Sequence, residues 1–135
     1  MIFRAQTTAE FDKQTITDLL CCALEGGSNY WYQDLEVIEP PPGRTIQEWK
    51  EEMRATGGFW HLDTPMAGGK LSLVDGIEED DPKKHTFGAE DMERGLNVMA
   101  RDYPRHFADI SNGVMDAATG DVFLQSIIFG EVIYG

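Results

Sequence analysis

Apolar positions along the chain fall into stretches of helical and of strand spacing. Ile16, Leu19, Leu20, Ala23 and Leu24 recur at i, i+3, i+4, i+7 and i+8, which predicts an amphipathic helix ended by Gly26 and Gly27. Thr15, with Asp18 three residues on, gives it a capping-box-like start. A second box, Thr45 with Glu48, opens "IQEWKEEMRA", a short helix stopping at Gly57 and Gly58. Trp49 and Met53, one turn apart, are its expected buried residues. Met92, Leu96, Met99 and Tyr103 form the stripe of a further helix that Pro104 bends or restarts, and "RHFADISNG" reads as a short helix or turn. In "DAATGDVFLQSIIFGEVIYG", Thr119 is the expected N-cap and Asp121 suits the positive end of the helix dipole. Phe123, Leu124, Ile127, Ile128 and Phe129 leave this last helix few polar positions, so it belongs in a core or an interface.

Strand signals are shorter. "MIFRAQ" reads as a strand or an arm, and "DLEVIE" as a strand that gives way to the extended Pro40–Pro42 run. "GFWHLD" and "KLSLVD" flank "TPMAGG", whose proline and glycines supply turn chemistry, and this predicts a β-hairpin. Residues 77–87 pass from acidic to basic around Pro82 and read as an exposed charged loop. With no internal repeat or linker, residues 1–135 form one domain. The expected fold is a compact α+β protein with three or four helices and a β-hairpin.

Charge narrows the partners. The chain has 24 acidic and 11 basic residues, a formal net charge of -13. Phosphate backbones are repelled on approach, which argues against direct nucleic-acid binding and fits basic protein partners or mimicry of a nucleic acid's charge. Cys21 and Cys22 are adjacent and cannot staple distant segments, as in a reduced cytoplasmic chain. No stretch reads as a signal peptide or approaches the roughly 20 apolar residues of a membrane span, so the chain is expected to be soluble and cytosolic.

Candidate chemistry centres on "ALEGGSNYWYQ". In one reading Gly26 and Gly27 cap the helix while Tyr30 and Trp31 fold back over the core. In the other, Ser28, Asn29 and nearby amides form a polar nest, with Tyr30 or Trp31 as a stacking wall for a flat heterocycle bearing phosphates. Arg94, Arg101 and Arg105 make either a phosphate or carboxylate site or ordinary surface ion pairs. His61, Asp63, His85 and His106 match no metal-ligand spacing, and Asp75 with Glu78–Asp81 lacks the hinge and closing glutamate of a calcium loop. With no nucleophile elbow, Walker loop or dinucleotide fingerprint, no catalytic residue, metal or cofactor is assigned.

Together, "ITDLLCCALEGGSNYWY", "YPRHFADI" and "DAATGDVFLQSIIFGEVIYG" resemble a family of small accessory proteins encoded by tailed bacteriophages and prophages. The resemblance spans most of the chain, with Pro40 to about Lys84 more individual. The family's function is uncharacterised, so the resemblance implies a context: the cytoplasm of a bacterial host, where small acidic phage proteins often bind a host component and some neutralise immunity. The reading drawn is a non-enzymatic protein that sequesters a nucleotide-like immune signal through Tyr30, Trp31, Ser28, Asn29 and Arg101 or Arg105. The alternatives are an acidic inhibitor of a host defence protein that imitates nucleic-acid charge, and a small hydrolase. The two-sided apolar segment from Val122 to Tyr134 predicts either a homo-oligomer or a helix central to one chain.

Overall fold

The most apolar segment of the chain becomes its axis. In the computed structural model, which describes all 135 residues, helix Ala117–Phe129 is buried from Thr119 to Ile127 except at Asp121. In chain order the elements are α1 (Lys13–Cys22), a π-helical turn (Ala23–Gly27), β1 (Tyr32–Glu39), α2 (Ile46–Thr56), α3 (Trp60–Met66), β2 (Lys70–Asp75), β3 (Lys83–Phe87), α4 (Ala89–Asp102), α5 (Pro104–Ser111) and α6 (Ala117–Phe129). The α+β class is as expected, with six α-helices where three or four were predicted.

The sheet is antiparallel in the order β1-β2-β3. Its inner positions Leu71, Leu73 and Phe87 join Leu19, Leu20, Met92, Met99, Phe123 and Leu124 in one core. Helices α1, α4 and α5, the π-helical turn and β3 all pack on α6. A helix apolar on every side needs cover on every side, and here one chain supplies it.

The hairpin is not where the alternation placed it. Trp60–Met66 is a helix, and the hairpin joins β2 to β3 through Gly76–Pro82, so Lys83–Phe87 of the expected loop is a strand. One local and one tertiary contact favour the helix at "WHLDTPM". The Asp63 carboxylate accepts the Phe59 amide at 2.8 Å, and buried Thr64 accepts the Trp49 indole N–H at 2.9 Å. Pro65 lies in the last turn of α3, where it donates no N–H back to the His61 carbonyl.

Caps also shift by one turn. Asp12, not Thr15, caps α1, and Asp116, not Thr119, caps α6, with the threonine at the third helical position in each case. Thr45 and Glu48 form the expected reciprocal box at α2. Helix α6 ends at Gly130, whose left-handed φ of 72° releases residues 131–135 as a strap that returns across the molecule.

Candidate functional site

The "GGSNYW" segment is placed by close backbone approach. A Cβ on Gly120 of α6 would lie 2.5 Å from the Ala23 nitrogen, so α6 and the π-helical turn touch backbone to backbone. This brings Asp121 to the aromatic cluster. Its Oδ1 accepts the Ser28 hydroxyl and the Trp31 indole N–H, both at 2.8 Å. Its Oδ2 accepts the Tyr30 hydroxyl at 2.6 Å and a Gln125 amide N–H at 3.1 Å. Four donors converge on one carboxylate in the second turn of α6.

Three predicted ligand residues thus serve one internal anion. Ser28 is fully buried and Trp31 is 7% exposed. Tyr30 is 49% exposed at its ring, but its hydroxyl turns in to Asp121; desolvation and that hydrogen bond push its pKa up to about 12. Asn29 is exposed beside them. Arg101 is exposed and bonded through two nitrogens to its neighbour Asp102, Arg94 pairs with Asp91, and Arg105 is exposed on α5. No hydrogen bond links these arginines to the aromatic cluster.

The Trp31 face is occupied by the chain itself. Tyr134, carried by the strap, stacks on it at 5.6 Å with planes 7° apart, while Phe129 and Tyr32 form the other walls. The Tyr134 hydroxyl donates to buried Asp75 at 2.8 Å, and the other Asp75 oxygen pairs with His85 Nε2. Desolvation, with Asp75 next, pushes the Tyr134 pKa up to about 12. Reading the sequence missed Asp75, His85, Tyr134 and Gln125 as one network. Leu73 opposite His85, with Asp75 two positions on along the same face of β2, is the only local pointer, and it requires the strand register.

Elsewhere, a cleft of about 690 Å³ runs between residues 7–11, α1 and α4. Phe11 meets Phe107 edge-on at 5.6 Å, and residues 7–11 form one wall. Ile16, Met92 and Leu96 line the interior, and the only charged lining residues are Glu10 and Glu93. His61, Asp63, His85 and His106 gather no metal set: no group of three or more histidine, cysteine or acidic side chains is close enough to hold an ion. Burial raises the pKa of Cys21 and Cys22, with acidic neighbours adding to it, which holds both thiols protonated at neutral pH.

No family model, curated protein or solved structure matches the chain. No helix is long and apolar enough to cross a membrane.

Proposed function

We propose that this protein is a phage-encoded accessory factor that works by binding, not catalysis, in the cytoplasm of its bacterial host. Its target is an amphipathic, basic segment of a host protein. The observation that carries this reading is the cleft of about 690 Å³, apolar at nine of its fourteen lining residues and bearing only negative charge. Each large apolar side chain seated there is worth about 1.5 to 3 kcal/mol of burial. The net charge of -13 adds long-range attraction for a cationic partner and speeds encounter more than it tightens the final complex. The phage context rests on the resemblance of the N- and C-terminal blocks. The nucleotide reading has less support, because Ser28, Tyr30 and Trp31 direct their donors to Asp121.

The test uses a synthetic helical peptide with leucine on one face and lysine on the other. Binding is expected to perturb the amides of residues 7–11 and α4, with an association rate that falls as salt screens charges beyond about 10 Å. Ala100→Trp, which fills the cleft from an exposed position, is expected to abolish it, and Glu93→Lys to weaken it. Binding that survives Ala100→Trp, or that perturbs only Glu78–Asp81, would show a nonspecific charge effect and sink the assignment.

A further inference from the structure

The strap is held in an unusual way. Residues 131–135 make no backbone–backbone hydrogen bond. Their main chain is bound by side chains instead. Gln125 Oε1 accepts the amides of Ile133 and Tyr134 at 2.8 and 2.9 Å, Gln125 Nε2 donates to the Tyr134 carbonyl at 3.2 Å, and the Tyr103 hydroxyl accepts the Val132 amide at 2.7 Å. Ile133 is 51% exposed, so the outer side of the strap is already wet. Gly130, at the root of the strap, has open space where a Cβ would sit and a left-handed φ that glycine adopts freely. Swinging the strap out breaks no strand or helix, and water can take the main-chain groups that it releases.

What the strap covers has the parts of a ring-binding site. Trp31 offers a flat face, Phe129 and Tyr32 close the sides, and the buried Asp75 carboxylate waits at the far end as a hydrogen-bond acceptor, held by His85. We propose that Tyr134 is the chain's own occupant of a slot for an uncharged planar aromatic molecule that carries a hydrogen-bond donor on its edge. Tyr134 defines what fits: a ring parallel to Trp31 with an O–H or N–H directed at Asp75. Charge sets a second limit. Glu79 and Asp81, in the β2–β3 loop, add negative charge that acts on the Tyr134 hydroxyl, and Lys83, opposite Asp75 in the ladder, is paired with Asp81 at 3.3 Å. A phosphorylated ring meets repulsion there, whereas a phenol or an unphosphorylated nucleobase does not. Because the ligand must displace Tyr134, its apparent affinity is the intrinsic one reduced by the fraction of open strap.

The experiment titrates p-cresol, a phenol, and guanosine, a nucleobase without phosphate, separately into the full chain. NMR follows the Trp31 indole N–H and the amides of Val132–Tyr134. At least one probe is expected to shift both sets of signals, and which one does so identifies the source of the ring. Tyr134→Phe keeps the stack and loses only the bond to Asp75, so it should tighten binding severalfold. Tyr134→Ala should tighten it by about tenfold or more. Toluene, without a donor, should leave the signals unmoved. The slot is overturned if neither probe shifts these signals, if affinity is the same in wild type and Tyr134→Phe, or if toluene binds as well as p-cresol. The Phe variant decides the matter even if Tyr134→Ala fails to fold.

Discussion

The rings of Trp31 and Tyr134 lie parallel, 7° apart in plane and 5.6 Å between centroids, and join the turn before β1 to the strap beyond the last helix. Such a pair contributes about 0.5 to 1.5 kcal/mol beyond the area it buries. Trp31→Ala also removes a large side chain that is 7% exposed, and truncations of this kind cost about 3 to 5 kcal/mol. Urea unfolding is expected to show a loss of that order. Hydrogen exchange at Val132–Tyr134 should accelerate more than in α4, because the strap loses its stacking partner while α4 keeps its packing.

Asp121 is the hub for four donors. Asp121→Ala strands the Ser28 hydroxyl and Trp31 indole N–H in buried positions, at about 1 to 3 kcal/mol for each group left unsatisfied. Asp121→Asn keeps one acceptor oxygen and should fall between wild type and Ala. Combined with Trp31→Ala, the loss from Asp121→Ala should be clearly less than additive, since the two residues share one bond. Additive losses in that cycle would contradict the network.

Alkaline pH should loosen the strap side of the molecule. Tyr30 and Tyr134 have folded pKa values of about 12, above the ordinary value of 10.0. A raised folded pKa means that the native state holds the proton more tightly. The stability linked to these groups is therefore complete below pH 10 and is lost as the pH rises toward 12. Phenolate absorbance should show Tyr30 and Tyr134 titrating late in the folded protein. Tyr134→Phe should remove part of the alkaline loss of stability, and a slope unchanged in that variant would count against the Asp75 contact.

Gly120→Ala tests the helix contact that places Asp121. The added methyl would sit 2.5 Å from the Ala23 nitrogen and 2.6 Å from the Cys22 carbonyl carbon, against backbone that cannot swing aside. Overpacking of this sort costs about 1 to 3 kcal/mol, occasionally more. A lowered denaturation midpoint with an unchanged slope is expected. A midpoint equal to wild type would show that α6 and the π-helical turn can separate freely.

The sequence by itself determined the helical frame. The stripes of α1 and α4, the break at Pro104, the Thr45–Glu48 box and the all-round apolar character of α6 follow from local spacing and capping chemistry, which act within a turn or two of the chain. "DLEVIE" and "KLSLVD" were legible as strands for the same reason. Tertiary structure decided everything that depends on a distant partner. "WHLDTPM" alternates like a strand, yet Trp49, from another helix, bonds Thr64 and helps hold the segment as a helix. Tyr30 and Trp31 were legible as rings that must be aimed at something, but not at what. That answer required Asp121 and Tyr134, and the meeting depends on glycines that let α6 touch the turn after α1. Periodicity reports which side of an element is apolar. It carries no information about which carboxylate, some ninety residues on, a buried indole will find.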